Sequence, residues 1–255
     1  MEPADFHIAG ERRIAFDGPV NFRDLGGYEI SEGGRTRWGQ LYRSDGLHRL
    51  TRRDLQLYGQ LGIRVVYDLR SDGERQLNPN PMASRVIALE SNVPRQEFAD
   101  GSILRTAIDA ETRLRDVYLA IISTAGPLFG ELYTGFAEPG GLPAVFHCAG
   151  GKDRTGLAAA LLLSVLGVPR ATVLDDYELT DRSLTAERHK EILARFVGVG
   201  MSVDAAAAFL SAPRWVMAEA LSFVDETWGG AEQYLRNAAQ MSTSTLQSLR
   251  DRLVR

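Results

Sequence analysis

The chain reads Val-Phe-His-Cys-Ala-Gly-Gly-Lys-Asp-Arg-Thr-Gly from Val145 to Gly156, and the elements on either side of this stretch define the fold. The apolar run from Leu142 to Phe146 predicts a buried strand that leads into it. The almost wholly apolar segment from Leu157 to Leu166 predicts a buried helix, and a glycine and a proline follow where that helix should end. The sequence therefore predicts a strand, a tight glycine-rich loop and a helix in succession.

The loop places the only cysteine of the chain, Cys148, six positions before Arg154. A loop of this length at a helix N-terminus can aim backbone N–H groups and the positive end of the helix dipole at one point. Such surroundings bind a tetrahedral dianion and stabilise a thiolate, and the planar fork of Arg154 can hold two phosphoryl oxygens. The residues expected around a bound phosphate are Ala149, Gly150, Gly151, Lys152 and Thr155.

The loop has two other interpretations. A single cysteine is more often a small buried apolar residue than a nucleophile, but here a glycine turn and a Lys-Asp-Arg triplet follow it. A nucleotide-binding Walker loop does not fit, because Phe146 stands where glycine is required and Asp153 stands where serine or threonine should follow the lysine.

The loop motif resembles the signature of the protein tyrosine phosphatase superfamily, in the form found in its atypical bacterial tyrosine and serine phosphatases. The residues that carry this resemblance are His147, Cys148, Gly151, Lys152, Asp153, Arg154 and Thr155. A second stretch, Asn-Phe-Arg-Asp-Leu-Gly-Gly from Asn21, is similar to another hallmark of the same branch. The resemblance extends from there to the segment Asp225–Gly229.

The resemblance implies a metal-independent phosphatase without a cofactor, in which Cys148 forms a cysteinyl-phosphate intermediate. The implied substrates are phosphotyrosine and, beyond it, phosphoserine, phosphothreonine or phosphoinositides. Two alternatives from other classes are a catalytically silent module that binds phosphorylated partners and a sulfurtransferase of the rhodanese type. The Lys-Asp-Arg-Thr ending of the loop speaks against the sulfurtransferase.

The proton donor to the leaving group is not fixed by the motif, since the chain has no Trp-Pro-Asp loop. Asp153 is the first choice, because a neighbouring phosphate dianion favours the protonated form of a carboxyl group and so suits an acid catalyst. Glu97 and Asp100, in a polar segment without clear period, are the alternatives.

Several other residues are candidates for supporting the loop, with His147 directly beside the cysteine. Arg23 and Asp24 either orient the loop or cap a turn. Asp68 and Arg70 follow a predicted buried strand, and they either face the site at the end of that strand or brace a neighbouring loop. The pattern Ser71-x-x-Glu74 predicts only a helix cap.

Lys152 has two interpretations that bear on substrate range. Its ammonium could add charge for substrates with a second phosphate near the scissile one, as in phosphoinositides. Alternatively it is a solvated lysine that balances Asp153.

The composition of the chain limits the class of protein and the cellular compartment in which it works. With 255 residues and a net charge of −4, the chain can bury one large core and carries no basic footprint for nucleic acid. One cysteine permits no internal disulfide, and four scattered histidines give no metal-ligand spacing. The sequence has no membrane-spanning apolar run, and Met1–Gly10 lacks the basic and apolar regions of a signal peptide. These features favour a cytoplasmic protein, with export by another route left open.

The expected fold is α/β, with a short, mostly parallel sheet flanked by helices and a helical C-terminal elaboration. The whole chain, residues 1–255, is expected to be one phosphatase domain. Within the elaboration, the resemblance implies a helical lid over the site at about 181–211, although this region could also be one more layer of the core.

Overall fold

The computed structural model describes residues 12–89, 104–183 and 185–255. Within these ranges one sheet contains the strands β1 (Arg23–Asp24), β2 (Leu41–Ser44), β3 (Val65–Asp68), β4 (Arg85–Val86) and β5 (Ala144–His147). Their spatial order is β1-β2-β5-β3-β4. Strands β2, β5, β3 and β4 run parallel, and β1 pairs antiparallel with β2. The predicted α/β class with a mostly parallel sheet is confirmed.

Strand β5 lies in the middle of the sheet, which explains its apolar sequence. All its residues are buried, and it pairs with β2 on one side and β3 on the other. His147 is level with Ser44 and with Asp68. The segments after these three residues therefore begin together at the carboxyl edge of the sheet, the edge where open α/β sheets bind ligands.

Helices lie on both faces of the sheet. In chain order, those of the described residues are α1 (Arg52–Gln60), α2 (Asp72–Leu77), α3 (Ala107–Thr124), α4 (Gly126–Ala137), α5 (Asp153–Val165), α6 (Arg170–Glu178), α7 (Ala186–Gly198), α8 (Val203–Leu210), α9 (Arg214–Trp228), α10 (Ala231–Asn237) and α11 (Thr243–Leu253). The long helical C-terminal region expected from the sequence is present.

Alternate strand residues divide the core into two clusters, as a pleated sheet requires. Tyr42, Val66 and Val145 belong to the smaller cluster, together with residues of α1. The intervening residues of the same strands, such as Phe146, belong to the larger cluster with α5. Because helices surround α5, its segment from Leu157 to Leu163 is buried on every side. The loop between β5 and α5 is thus held at both ends by rigid, buried elements.

Helices α7 and α8 form a separate layer in the C-terminal region. Helix α8 packs on α3 through small residues, with Ala205 and Ala206 against Ala110. Helix α7 contains no fully buried residue, and it packs chiefly against α8. The region around 181–211 is therefore attached to the body of the protein mainly through α8.

Candidate active site

The loop after β5 turns its carbonyl groups outward, and each of the first four is bound by a donor from the surrounding protein. The Cys148 oxygen lies 3.0 Å from Nδ1 of His147, and the Ala149 oxygen accepts the Gly46 N–H at 3.1 Å. The side-chain amide of Asn21 donates to the Gly150 oxygen at 3.4 Å and to the Gly151 oxygen at 3.1 Å. Because the C=O and the following N–H of a planar trans peptide point in opposite directions, the N–H groups face the centre of the loop. The loop is therefore an anion-binding nest.

Gly151 is required for this conformation. Its φ is +67°, and a Cβ there would lie 2.6 Å from the Ser44 oxygen. Any other residue would be strained in this backbone region and would collide with the end of β2. A Cβ at the neighbouring Gly150 would meet nothing within 4 Å, so only the second glycine of the pair is fixed by sterics.

A buried arginine behind the loop fixes the Gly151 carbonyl from a second side. Arg43, on β2, donates from Nη2 to the Gly151 oxygen at 2.8 Å and from Nη1 to Oδ2 of Asp176 at 2.6 Å. Burial and the nearby charge of Arg23 lower the pKa of Arg43 to about 10, which leaves it charged at neutral pH. The Arg43 side chain thus links the loop to helix α6.

Asp176 is the centre of a buried cluster that also contains Arg23, Tyr28 and Arg43. Besides Arg43 it accepts Nε of Arg23 at 3.0 Å and the hydroxyl of Tyr28 at 2.8 Å. Burial alone would raise the pKa of Asp176, but the charges of Arg23 and Arg43 outweigh burial and hold that pKa well below its usual range. Two buried guanidinium groups therefore face one buried carboxylate, and the excess positive charge lies directly behind the loop.

Of the two roles predicted for Arg23 and Asp24, support of the loop belongs to Arg23 and capping of a turn belongs to Asp24. Arg23 joins the cluster behind the loop through Asp176 and also contacts Asn21, which binds the loop carbonyls. Asp24 accepts the backbone N–H groups of Gly26 and Gly39, both at 2.7 Å. Arg23 thus braces the loop, while Asp24 caps the turn that follows β1.

We expect Asp176→Asn to lower the free energy of unfolding by about 3 kcal/mol or more at pH 7, because it leaves two buried arginines without a countercharge. The folded-state pKa of Asp176 is depressed, so its contribution is complete above the unfolded-state value of about 3.9 and is lost as the pH falls below it. Urea denaturation should therefore show a difference in the free energy of unfolding between parent and variant, and this difference should narrow as the pH falls below about 4.

The neighbouring Asp175→Asn is the matched control. Asp175 lies on α6 beside Asp176 and forms an exposed ion pair with Arg214 of α9 at 2.6 Å. Such pairs contribute less than about 1 kcal/mol. Equal losses for the two variants at pH 7 would show that the buried cluster does not stabilise the fold.

Arg154 follows the loop in the first turn of α5 and is held by Glu74. Its Nη1 and Nη2 donate to the two carboxylate oxygens of Glu74 at 2.7 and 2.8 Å, and Nη1 also lies 3.4 Å from the Leu69 oxygen. Of the five guanidinium N–H groups these contacts use three, which leaves two on the other edge of the fork. Burial opposes ionisation of Arg154, but Glu74 and the charge of Cys148 raise its pKa above the usual value.

Glu74 is the ion-pair partner of Arg154. Burial would raise the pKa of Glu74, but the hydrogen bond and charge of Arg154 lower it to about 2, so the carboxylate is ionised at neutral pH. The same carboxylate accepts the Ser71 N–H at 2.8 Å in the predicted capping box of α2. Glu74 thus orients the arginine as well as the helix end, a role that the capping pattern alone did not reveal.

His147 is completely buried beneath the loop and is neutral. Burial lowers its pKa to about 4, although Asp68, 3.8 Å from Nε2, acts in the opposite direction. Nδ1 donates to the Cys148 carbonyl and Nε2 accepts the Asn80 side-chain amide at 3.0 Å, which fixes the tautomer. Asn80 also donates to Asp68 at 2.9 Å. Asp68 therefore supports the histidine through Asn80.

Arg70 and Asp68 brace a neighbouring loop, the second of the two roles that their position after the strand predicts. Arg70 donates from Nε and Nη2 to the two oxygens of Asp68 at 2.9 and 2.7 Å, and from Nη1 to the Asn78 carbonyl at 2.7 Å. The pair joins the end of β3 to the segment after α2. Both side chains are buried and do not line the cavity above the loop.

Asp153 is the first residue of α5 and lies between a tyrosine and a lysine. The Tyr118 hydroxyl donates to Oδ1 at 2.8 Å, and the Tyr177 hydroxyl lies 2.8 Å from that of Tyr118. Lys152 Nζ is 3.4 Å from the same oxygen, and it donates to the Ser211 carbonyl at 2.9 Å and to the Phe209 carbonyl. The Lys152 ammonium therefore joins the loop to the end of α8.

Cys148 and Thr155 complete the loop. The Gly151 N–H donates to Sγ of Cys148 at 3.3 Å, a contact that favours a thiolate. The Thr155 hydroxyl is buried and has no hydrogen-bond partner among the described residues. It is free to donate to the sulfur or to a bound group.

A cavity of about 290 Å³ opens above the loop. Loop residues 149, 150 and 152–154 form its floor, and part of its wall comes from α7 and α8 through Ile192, Phe196, Phe209 and Leu210. Arg49, Arg188 and Arg195 also line it. The sheet edge, the loop and the C-terminal helices thus enclose one site.

The sequence did not reveal the roles of Asn21, Arg43, Glu74, Tyr118 or Asp176 at this site. Asn21 lies in a motif that was quoted, and Glu74 in a pattern interpreted only as a cap; Tyr118 and Asp176 had no sequence signal. The alternative acids Glu97 and Asp100 lie outside the described residues.

A cysteine and an arginine on one anion-binding loop, between the central strand of a parallel sheet and a buried helix, define the class of cysteine-dependent phosphatases. Residues 14–255 match the model of the tyrosine phosphatase family, and the chain belongs to this family. Membership makes the protein a hydrolase whose substrates carry phosphate. The resemblance inferred from the sequence is confirmed.

Three relatives agree with this assignment. A Cupriavidus necator protein, whose name gives it as a predicted tyrosine-protein phosphatase, is 31% identical over 96% of this chain and 90% of its own length. A tyrosine-protein phosphatase of Nostoc commune is 26% identical over 83% of this chain and 73% of its own. The triple specificity protein phosphatase PtpB of Mycobacterium tuberculosis is 27% identical over 91% and 96%.

No group of three or more histidine, cysteine, aspartate or glutamate side chains in residues 12–89, 104–183 and 185–255 is arranged to hold a metal ion. In the same part of the chain, no helix has the length and apolar character needed to span a membrane.

Proposed function

We propose that the protein hydrolyses phosphotyrosine through a cysteinyl-phosphate on Cys148. The observation that carries this proposal is the outward anchoring of the loop carbonyls from Cys148 to Gly151, which leaves the loop N–H groups to bind the phosphoryl oxygens. The free edge of Arg154 supports the same role, since Glu74 already orients the other edge.

In the first step the thiolate of Cys148 attacks phosphorus, and the phosphorus–oxygen bond to the leaving group breaks with its electron pair on oxygen. Asp153 supplies the proton to that oxygen. In the second step water attacks the cysteinyl-phosphate and loses a proton to the Asp153 carboxylate. The sulfur–phosphorus bond breaks, inorganic phosphate leaves and the thiolate returns. Loop N–H groups and Arg154 hold the equatorial oxygens in both steps, when their charge is most developed.

The geometry around Asp153 supports its role as the acid. Tyr118 and Lys152 both approach Oδ1, and no hydrogen bond among the described residues is made by Oδ2. That second oxygen is therefore the one on which a transferable proton would reside, while the tyrosine fixes the direction of the carboxyl group.

We expect Asp153→Asn to slow an alkyl phosphate by roughly 10²-fold or more and an aryl phosphate much less. A phenolate leaves with little protonation, whereas an alkoxide needs the proton. Asparagine can still accept the Tyr118 hydroxyl, so the variant removes the proton with little change of shape. Steady-state kcat/KM on a matched pair of aryl and alkyl phosphates measures the difference. Equal losses would make Asp153 structural and would direct the same test to Glu97 and Asp100.

The substrate range extends this proposal. The Mycobacterium tuberculosis relative is named a triple specificity phosphatase, which supports phosphoserine, phosphothreonine or phosphoinositides as further substrates. A panel of phosphotyrosine, phosphoserine and phosphoinositide substrates at matched concentrations tests this range. Turnover of a generic aryl phosphate tests the proposal itself, because a silent phospho-binding module would bind phosphate without releasing it. The rhodanese alternative receives no support, since the three relatives above are all named phosphatases.

The helical region at about 181–211 is proposed as a lid on a single catalytic domain. Support comes from the cavity wall that α7 and α8 provide and from the bonds of Lys152 to the Phe209 and Ser211 carbonyls. These bonds tie the end of α8 to the loop, whereas α7 contains no fully buried residue.

A further inference from the structure

The cavity above the loop has two chemically different walls. One is apolar and consists of Ile192, Phe196, Phe209 and Leu210 from α7 and α8. The other carries Arg49, which ends the short 3₁₀ turn Leu47–Arg49 after β2. The carboxyl of Asp45 also lines the cavity, but both of its oxygens accept backbone N–H groups, from Val20 and Asn21. A ligand that is apolar on one side and anionic on the other therefore suits the two walls.

Arg49 has no function in the fold that accounts for its charge. It is half-buried, it forms no ion pair with any of the described residues, and its Nε is buried without a hydrogen-bond partner among them. Buried N–H groups are normally paired, and a guanidinium presents five donors and no acceptor. An unpaired arginine on the wall of a phosphate-binding cavity is suited to an anionic group of the ligand.

Arg188 adds a second positive charge to the cavity from helix α7. Only 18% of its side chain is exposed, and its partner Glu191, one turn away on the same helix, is half exposed. Such a pair is weak and can be exchanged for a better acceptor. Arg188 also acts on the neighbour of Arg49: burial and then the charges of Arg70 and Arg188 lower the pKa of His48. Both arginines line the same cavity.

We infer that Arg49 and Arg188 bind an acidic residue beside the phosphotyrosine of a peptide substrate, an inference that rests on the proposed function. With the phosphate on the loop, the tyrosine ring contacts the apolar wall and the neighbouring carboxylate lies between the two arginines. An inositol phosphate headgroup fits less well, because a ring with a hydroxyl or phosphate on every carbon has no apolar face to place against the wall of Ile192, Phe196 and Leu210.

The test uses two phosphotyrosine peptides that differ only in aspartate or asparagine directly before the tyrosine, with a second pair that places the difference directly after it. The parent protein is expected to prefer the aspartate member of at least one pair by roughly tenfold in kcat/KM. The preference should narrow at high salt. In Arg49→Gln the ratio for that pair should fall toward one. Arg53→Gln is the control, since Arg53 is exposed, pairs with Asp17 and does not line the cavity; it should keep the parental ratio.

Two results would overturn the inference. One is a parent protein that hydrolyses all four peptides without preference. The other is a preference that survives in Arg49→Gln. If this second result comes with a selective loss on a soluble inositol bisphosphate, the arginine is assigned to a headgroup instead. Absence of turnover on every phosphotyrosine peptide and aryl phosphate is a different result, because it would reject the proposed function itself.

Discussion

Replacing Cys148 by serine is expected to lower kcat on an aryl phosphate by at least about 10⁴-fold, the size of loss seen when the nucleophile of a catalytic unit is removed. Inside the loop the Gly151 N–H donates to Sγ, and Arg43 and Arg154 place positive charge around it. These groups stabilise a thiolate, whereas a serine hydroxyl stays protonated and is a far weaker nucleophile at neutral pH.

The same variant should retain the phosphate-binding loop, because serine preserves the size of the side chain and the anchored carbonyls are unaffected. Calorimetric titration with inorganic phosphate should therefore show binding close to that of the parent protein. In the parent protein Cys148 is the one cysteine, so alkylation by iodoacetamide reports on that residue alone, and phosphate should protect it. Residual activity within about tenfold of the parent would remove Cys148 from the nucleophile role.

Arg154→Lys is expected to raise the barrier by about 3 kcal/mol or more, a loss of roughly 10²-fold in kcat. A lysine offers one point charge in place of a fork, and it cannot bind both oxygens of Glu74 while it also holds two phosphoryl oxygens. The loss should appear mainly in kcat, because the equatorial oxygens gain charge on the way to the transition state.

The control for this substitution is Arg170→Lys. Arg170 forms an exposed pair with Asp225 at the start of α6 and does not line the cavity above the loop. Its kinetics should match those of the parent. If Arg154→Lys raises only KM and leaves kcat intact, Arg154 binds the ground state and the transition state equally.

The sequence by itself determined the features that depend on near neighbours in the chain. The apolar run before Cys148 and the long apolar segment after Thr155 can only be buried, so β5, the loop and α5 follow from residues 142 to 166. The cap at Ser71 is local in the same way. Family membership was also visible, since the loop motif and the segment around Arg23 are contiguous stretches of sequence.

Only the tertiary structure decided what holds the loop and what surrounds it. Arg43 and Asp176 are 133 positions apart, Arg154 and Glu74 are 80, and Tyr118 and Asp153 are 35. No periodicity or spacing connects such pairs, because each side chain alone is compatible with a solvated surface. Burial changes this: a charge that leaves water must be paired, and which partner is within reach depends on how the sheet orders its strands and the helices pack on it. Lys152 shows the same limit, since its contacts with the Phe209 and Ser211 carbonyls exist only once α8 packs against α3.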